Sequence, residues 1–393
     1  MKKLKQFSSE NRDLTITRCN TPSTHSDSIP PDVFMEIISR LPAKSVTNCR
    51  RVSKSWAAIL RRPEFDELFL TKSPNQPLIL FAFILDGGLP FFTSPQNHQN
   101  SSLQATRHGT YLPIDRFSKI SPPVRGLVCL EDKRRMLVIC NPITSESVTL
   151  PQLKSMMMWS KSVLGYDPIE KQFKVFCTKW SPHHKFNTHG EHYVMTLGAG
   201  GKMIWRLLQC CKPFRPVFDG GICINGCFYY FGKLNCDRED VVIVCFDVRY
   251  EKLSFIDKPK GMIVKYESKL INHKGQLGIF QCSNSGLITR SSTSFDLLIL
   301  EDVKKNGWTK RSYVLPFMWR NMLENTTKLR IVGMNGTCEI VLSPYGLADP
   351  YYLFYYNLEM NSVRKVEIQG LGAFKTSTIA HLFVDYVEDV KFI

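Results

Sequence analysis

A recurring unit of strand, turn and strand sets the strongest limit on how this chain can fold. In each copy, a strand rich in Val, Ile, Phe or Tyr ends at an Asp or Asn, and a second strand follows a short turn. The unit occurs at Asn141, Asp247, Asp302 and Asn357, with separations of 106, 55 and 55 residues. Because 106 is twice 53, a further copy is expected near residue 194. The sequence therefore predicts a repeat of about 50 residues.

A second hairpin precedes each of these units, so one repeat holds about four strands. Asn225-Gly226 and Asn335-Gly336 are typical two-residue hairpin turns. Four strands in about 50 residues match one blade of a kelch-like β-propeller. The remaining strands, Leu78 to Leu85 and Ile379 to Phe383, would complete a further blade where the ring closes. We expect an all-β propeller of about six blades over residues 76–393. An open β-sandwich with coincidental turn spacing is the alternative.

The first 72 residues have a different character. Residues 1–27 are polar, rich in Ser and Thr and without periodicity, so we expect a disordered leader. Residues 28–72 show apolar spacing of 3.6 residues and predict three short helices. Pro42 ends the first helix, because proline disfavours the helical conformation of the residue before it. We expect Val52 and Trp56 to belong to the core of this helical unit.

Residues 29–70 resemble an F-box. The similarity lies in IPPDVFMEIISRLP (29–42), AKSV (43–46) and RVSKSW (51–56), which agree with the motif in order, spacing and residue type. Ile29 stands where many members have Leu, which keeps the apolar character.

The F-box resemblance implies a docking module that binds a Skp-type adaptor and, through it, a cullin. We expect the adaptor contact at the apolar and neighbouring positions of the first helix: Ile29, Pro30, Val33, Glu36, Ile37, Leu41 and Pro42. A unit of about 40 residues has too small a core to be very stable alone, and it would gain from packing on a partner. An amphipathic bundle without a partner is the alternative.

The rest of the chain resembles the F-box-associated type 3 domain, which follows the F-box in a large plant family. The matching segments are RGLVC (125–129), CNPIT (140–144), LGYDP (164–168), VCFDVR (244–249) and YYNLE (355–359). The resemblance implies the substrate-recognition subunit of a Skp-cullin-F-box (SCF) ubiquitin ligase, which binds its target with the propeller and is not itself an enzyme. The alternatives are an F-box protein that sequesters its partner outside a ligase, and a propeller enzyme.

The balance of charge suggests what kind of target is bound. Lys and Arg outnumber Asp and Glu by 51 to 35, which gives a net charge of +16. The densest basic cluster, Lys133, Arg134 and Arg135, lies between two predicted strands and is expected in an exposed turn. Such a turn suits an acidic or phosphorylated segment of a target protein. A solvated turn that only aids solubility is the alternative.

The chain lacks the usual signals of other classes. The basic residues are spread over the whole chain, which disfavours nucleic-acid binding. No apolar signal region follows the N-terminus, and the longest apolar run has eight residues, so we expect no membrane span and a cytoplasmic or nuclear protein. Thirteen cysteines form no C-x-x-C pair, and the spacing of His183, His184, His189 and His192 matches no common zinc site. We therefore expect neither a metal nor a cofactor.

Overall fold

The computed structural model describes most of the chain after the leader. The predicted leader, residues 1–27, lies outside the described residues. These are 29–72, 76–85, 88–96, 100–111, 114–115, 118–157, 159–181, 190–198, 202–217, 220–234, 241–265, 267–282, 287–303, 306–347, 349–372 and 378–391.

The N-terminal unit of the described chain consists of four helical segments. They are α1 (Pro31–Ile38), α2 (Ala43–Val52), α3 (Lys54–Ile59) and α4 (Pro63–Lys72). A proline at the first position of α1 and an Asp in its first turn favour the start of this helix. Ser53 separates α2 from α3, and its side chain accepts a hydrogen bond from the Trp56 amide, 3.1 Å away. The expected last helical turn around Phe65 is a full helix of 10 residues, α4.

The rest of the described chain is built almost entirely of strands, with one short helix, α5 (Trp319–Met322). The first half holds β1 (Leu78–Ile84), β2 (Leu89–Pro95), β3 (Ser102–Gln104), β4 (Thr106–Tyr111), β5 (Lys119–Ile120), β6 (Val128–Glu131), β7 (Leu137–Cys140), β8 (Ser147–Thr149), β9 (Trp159–Asp167), β10 (Gln172–Trp180), β11 (Glu191–Leu197), β12 (Arg206–Leu208) and β13 (Arg215–Pro216). The second half holds β14 (Ile222–Ile224), β15 (Cys227–Lys233), β16 (Val241–Asp247), β17 (Lys252–Asp257), β18 (Lys269–His273), β19 (Gln276–Cys282), β20 (Ile288–Thr289), β21 (Ser294–Asp302), β22 (Gly307–Val314), β23 (Lys328–Met334), β24 (Glu339–Pro344), β25 (Tyr351–Asn357), β26 (Ser362–Gln369) and β27 (Ile379–Tyr386).

These strands form six sheets, the blades of a propeller. Blade I has the order β27-β1-β2-β4, blade II β5-β6-β7-β8 and blade III β9-β10-β11-β12. Blade IV has the order β13-β15-β16-β17, with β14 also paired to β15, and blade V has β18-β19-β21-β22. Blade VI has the order β20-β23-β24-β25-β26-β3. The expected all-β propeller with six blades is thus confirmed.

The two ends of the propeller region meet in blade I. There β27 pairs antiparallel with β1, so that Ile84 lies opposite Ile379 and Leu78 lies opposite Tyr386. A second link comes from β3, which leaves blade I and pairs parallel with β26 on the outer edge of blade VI. The first contact completes blade I with strands from both ends of the propeller region, and the second ties blade I to blade VI, so the two contacts close the ring.

Each pair of neighbouring blades shares one apolar core. The alternation of side chains along β1 shows how this arises. Ile79, Phe81 and Phe83 are buried against blade VI, whereas Leu80, Ala82 and Ile84 belong to the core shared with blade II. This second core also takes up the apolar side of the helical unit.

The two predicted hairpin turns differ in the structure. Asn225 and Gly226 both have positive φ and directly join β14 to β15, as a two-residue turn requires. The loop at Asn335 is longer, because Cys338 rather than Gly336 adopts the left-handed conformation. The Cys338 amide donates to the Asn335 carbonyl, and the Asn335 amide donates to the Glu339 carbonyl. The prediction of a two-residue turn at Asn335-Gly336 is therefore wrong.

Removing residues 379–393 tests the closure of the ring. We expect this truncation to lower the Tm of the whole propeller by at least about 10 °C, because it deletes β27 and reopens the edge of β1. Thermal unfolding followed by circular dichroism measures the effect. Ile379→Ala is the matched control: Ile379 lies on the same strand but is 41% exposed, so its loss should cost less than about 1 kcal/mol. A truncated chain with the Tm of the intact protein would contradict closure through β27.

Candidate functional site

Helix α1 carries apolar side chains on two faces. Phe34 and Ile38 are buried, with exposed fractions of 6% and 7%. Ile29, Val33 and Ile37 are 57%, 49% and 51% exposed. Their spacing of four residues puts Val33 and Ile37 on one face, one turn apart, with Ile29 just ahead of the helix. We call Ile29, Val33 and Ile37 the outward stripe.

The inward face of α1 joins the helical unit to the propeller. The Phe34 ring lies 4.6 Å from the Trp56 ring, centroid to centroid. The buried cluster around Phe34 continues into the propeller through Val128 of β6 and Tyr386 of β27. The helical unit is therefore packed against blades I and II, and the outward stripe is left exposed on the opposite side of α1.

The sequence predicts Val52 in the core of the helical unit, and this prediction is wrong. Val52 is 65% exposed. The buried positions of α2 are Ala43, Val46, Thr47 and Arg50. Val52 follows Arg50 by two residues, a rotation of about 200° around the helix, so it emerges on the solvent side. The prediction for Trp56 is closer, because this residue is half-buried and packs on the core.

The other predicted adaptor-binding residues lie in several environments. Pro30 and Pro42 are exposed and stand directly before α1 and α2. Leu41 is half-buried and packs on the core. The Glu36 carboxylate contacts Arg40 Nη2 at 2.8 Å and Lys72 Nζ at 3.3 Å. These two cations hold the pKa of Glu36 below its usual value. Among the predicted adaptor-binding residues, the outward stripe thus holds the large apolar side chains that are exposed.

Polar contacts between the helical unit and blade II accompany the apolar packing. Arg50 is buried, and its Nη2 donates to the Leu60 carbonyl at 2.8 Å. The Nη1 atom of Arg50 lies 3.7 Å from a carboxylate oxygen of Glu146, in the loop between β7 and β8. A second ion pair joins Glu67 of α4 to Arg125, also at 3.7 Å. These contacts fix the orientation of the helices on the propeller.

Two carboxyl groups interact electrostatically at the same interface. Burial and the negative charge of Asp389 together raise the pKa of Asp66 to about 7. Burial also raises the pKa of Asp389, to about 6. One oxygen of Asp66 is buried and has no hydrogen-bond partner in the described part of the chain. The interface therefore disfavours the charged form of both carboxyl groups, and each binds its proton at a higher pH than a free aspartate does.

The basic turn, residues 133–135, lies between β6 and β7. Arg134 donates to the Asp132 carboxylate from Nη2 at 2.8 Å and from Nε at 3.0 Å. Arg135 Nη1 donates to Glu131 at 3.0 Å. Lys133 is exposed and has no hydrogen bond or ion pair with any described residue. Two of the three predicted target-binding residues are therefore already paired with neighbouring acids.

A cavity of about 360 Å³ lies at the propeller axis. Its walls include the first residues of several innermost strands, and four of its side chains are cationic: Lys119, Lys161, Lys269 and Arg330. Sequence analysis missed this group, because the four residues lie far apart in the chain. One sequence signal could have revealed the group: a Lys or Arg stands within the first three residues of a strand in four different blades.

The cavity and the helical unit lie at opposite ends of the ring. Helix α4 leads into Leu78, which pairs with Tyr386 at the end of β27. Ile379 to Phe383, the first part of β27, lines the cavity. Tyr386 lies three residues beyond Phe383, so about 10 Å of β27 separates the end of the cavity lining from the residue that pairs with Leu78.

The predicted absence of a metal site concerns the histidine segment. His183, His184 and His189 lie outside the described residues. His192 is buried, its Nδ1 is 3.1 Å from Thr178 Oγ1, and its ring stacks on Phe214 at 4.4 Å. Within the described ranges, no three His, Cys, Asp or Glu side chains are grouped so that they could hold a metal ion. None of the helices in the described residues is long and apolar enough to cross a membrane.

Comparison with known proteins agrees with this architecture. The family description "F-box domain" matches residues 26–68, and "F-box associated beta propeller domain" matches residues 78–387. The chain is 42% identical over 380 residues to F-box protein DOR of Arabidopsis thaliana, covering 93% of this chain and 94% of that protein. It is 43% identical over 373 residues to F-box protein At1g53790 of the same plant, covering 92% and 81%.

Fold and site together define a helical F-box unit packed on a six-bladed propeller. The chain belongs to the family of F-box proteins with an F-box-associated propeller domain, which confirms the resemblance seen in the sequence.

The Asp66 and Asp389 pair predicts how stability depends on pH. The folded-state pKa values of about 7 and about 6 lie above those of an unfolded chain, near 4. The folded protein therefore binds more protons than the unfolded chain between about pH 4 and pH 7, and the free energy of unfolding falls as pH rises through this window. We expect Asp66→Asn to raise the Tm by several °C at pH 8 and to change it little at pH 4.

The matched control for this test is Asp32→Asn, which removes an exposed carboxylate from α1. Thermal unfolding of both variants across this pH range gives the comparison. An equal pH dependence of the Tm in Asp66→Asn and in the unmodified protein would contradict the raised pKa values.

Proposed function

We propose that this protein is the substrate-recognition subunit of an SCF-type ubiquitin ligase. In this proposal the F-box docks on a Skp-type adaptor, which joins it to a cullin, and the propeller binds a target protein. The observation that carries it is the double apolar character of α1. One face packs on the propeller, while the outward stripe exposes three large apolar side chains at about half of their surface or more. Such a stripe gains free energy when a partner covers it.

The adaptor-binding surface in this proposal is built around Ile29, Val33 and Ile37. Pro30 and Pro42 belong to it as well, because their restricted backbone lowers the ordering cost of docking. Glu36, at the edge of the stripe, supplies a charge held in place by Arg40 and Lys72. Leu41 supports the surface from below, since it packs on the core.

Catalysis belongs to other subunits of the ligase in this proposal. The chain contributes proximity, because it raises the concentration of the target near the ubiquitin that is transferred. We propose the end of the ring remote from the F-box as the target side and, in accord with the predicted localisation, action in the cytoplasm or nucleus. The family membership of the two plant relatives supports an adaptor role.

Substitution of the outward stripe tests adaptor binding. We expect Val33→Asp combined with Ile37→Asp to weaken binding of a Skp-type adaptor at least 30-fold, because a charge at a buried contact costs about 2 kcal/mol or more. The propeller should unfold at an unchanged temperature, since both side chains are exposed in the free chain. Surface plasmon resonance with the immobilised adaptor measures the affinity.

The matched control for adaptor binding is Val314→Asp. Val314 is 66% exposed at the end of β22, on blade V, and this variant should bind the adaptor normally. Adaptor binding by the Val33→Asp, Ile37→Asp variant as tight as that of the control would refute docking through the outward stripe.

A sequestering F-box protein outside any ligase is the second candidate function. It has the same adaptor-docking surface but does not assemble with a cullin. Affinity purification with the proteasome inhibited separates the two functions: a cullin in the eluate supports the ligase subunit, and its absence alongside the adaptor supports sequestration.

For the target, we retain the basic turn as a contact for an acidic or phosphorylated segment, with Lys133 in the leading role. Lys133 is free to pair, whereas Arg134 and Arg135 also stabilise Asp132 and Glu131. Reversal of all three charges would set glutamates beside two buried acids and weaken the turn. Lys133→Glu alone avoids this damage.

Target binding at low and at high salt tests the turn. Once a target has been captured, we expect Lys133→Glu to lower the association rate several-fold at low salt, and much less at high salt, because screening weakens the attraction. Lys252→Glu, an exposed charge on the outermost strand of blade IV, is the control. Equal rates for the two variants at every salt concentration would exclude Lys133 from target binding.

A further inference from the structure

The axial cavity carries more positive than negative charge. Four cationic side chains line it, from blades II, III, V and VI: Lys119, Lys161, Lys269 and Arg330. Its carboxylates among the described residues are Glu131 and Glu267. Glu131 is already engaged, since its Oε2 accepts from Ser160 Oγ at 2.5 Å and its Oε1 accepts from Arg135 at 3.0 Å. The charges that line the cavity therefore leave an excess of positive charge.

Two of the ammonium groups converge on Gly220. Lys161 Nζ donates to the Gly220 carbonyl at 2.6 Å. A methyl group added at Gly220 would lie 3.9 Å from Lys269 Nζ. Two like charges near one residue repel each other, and the repulsion costs more in a partly enclosed space than in water.

Lys119 and Arg330 are held by neutral groups. Lys119 Nζ donates to the Ser160 carbonyl at 2.6 Å. Arg330 donates to the Ala380 carbonyl and, from Nε, to Ser343 Oγ at 3.3 Å. Neither cation forms an ion pair with a carboxylate of the described residues. These hydrogen bonds orient the two charges without neutralising them.

Lys269 is the most exceptional member of the group. Its ammonium has neither a hydrogen bond nor an ion pair within the described ranges, although the side chain lies inside the cavity wall. Burial and the positive charge of Arg330 together lower the pKa of Lys269 to about 8. The Lys269 side chain is half-buried, and a cation that loses part of its water without gaining a counter-ion is costly.

We propose that the axial cavity is a binding site for a phosphate-type dianion, with Lys269 as its central ligand and Lys119, Lys161 and Arg330 around it. A dianion would supply the counter-charge that Lys269 lacks, and ammonium groups bind phosphate as point charges from several directions. The volume of about 360 Å³ lies in the range of small-molecule sites.

The phosphate group has two possible sources, a free phosphorylated molecule and a phosphorylated segment of a protein. The residues at the rim of the cavity distinguish them. Tyr345 lines the cavity and is 56% exposed. Trp159 is 48% exposed, and Lys119 Nζ lies 6.0 Å from its ring centre. A free phosphorylated molecule would use the cations alone, whereas a phosphorylated segment of a protein would also pack its flanking residues on these two aromatic rings.

Lys269→Met tests the site in the full-length protein. This change keeps the length of the side chain and removes the charge without breaking a hydrogen bond among the described residues. We expect a Tm without ligand that is equal to that of the unmodified protein or a few °C higher, because an uncompensated charge is lost. We expect at least a tenfold loss of affinity for inorganic pyrophosphate and phosphate, since one hydrogen bond to a charged group contributes about 1.5 kcal/mol or more.

Isothermal titration calorimetry at constant ionic strength, set with sodium chloride, measures these affinities. Lys252→Met is the matched control: it removes one exposed charge from β17 and should bind as the unmodified protein does. Normal adaptor binding by Lys269→Met shows that the fold is intact, and it separates failure of this site from failure of the ligase proposal.

A pool of phosphoserine peptides with varied flanks, and the same pool without phosphate, distinguishes the two sources. Tighter binding of the phosphorylated pool than of free phosphate, lost in Trp159→Ala combined with Tyr345→Ala, identifies a phosphorylated protein segment. Equal or tighter binding of free phosphate or pyrophosphate, unaffected by the rim variant, identifies a small molecule. The proposal is overturned if neither free anion nor phosphopeptide binds the unmodified protein, or if Lys269→Met binds them as tightly as Lys252→Met does.

Discussion

The pairing of β27 with β1 is the interaction on which the rest of this structure depends. It joins segments from the two ends of the propeller region, and Gln96 and Asp385, 289 positions apart, exchange hydrogen bonds beside it at 2.9 Å. Such contacts form late and carry a high cost in chain entropy, but they close the ring. Residues after β27 then reach both blade II and the F-box: the Asp389 carbonyl accepts from Asn141 of blade II, and Val390 packs in the core beneath α1. One closure thus positions blade I, the F-box seat and the wall of the axial cavity.

Periodic features of the structure could be predicted from the sequence, because each depends on local spacing. The Asp and Asn residues of the repeat fix the strand ends: Asn141 and Asn357 accept hydrogen bonds from amides two and three residues later, which turns the chain. Helix α1 could equally be predicted, because its inward and outward apolar positions each recur four residues apart. The exposure of Val52 could not be predicted, because the chain buries Arg50 instead of an apolar residue, and the Leu60 carbonyl and Glu146 accommodate that charge.

Features that depend on several blades at once could not be predicted. The four axial cations are separated by 42, 108 and 61 positions, and each alone resembles an ordinary charge at the start of a strand. Their common position at one cavity appears only when the ring brings their strands together. The link between blades I and VI through β3 could not be predicted either. Its three residues pair with β26 of another blade, and their sequence does not indicate that partner strand. Likewise, the acids that neutralise Arg134 and Arg135 stand next to them in the sequence, but their pairing depends on the conformation of the turn.

The way the F-box is seated has a consequence for how the two ends of the molecule work together. A flexible linker between docking module and propeller would spread a bound target over a large volume and lower its effective concentration near a cullin-bound catalyst. Here a shared apolar core, the buried Arg50 and the ion pair between Glu67 and Arg125 hold the module on blades I and II. The outward stripe and the axial cavity therefore belong to one rigidly packed unit, in which the shared core fixes their relative positions. In the proposed ligase this rigidity restricts which lysines of a target come within reach, so the seat of the F-box contributes to the choice of ubiquitination site without contacting the target.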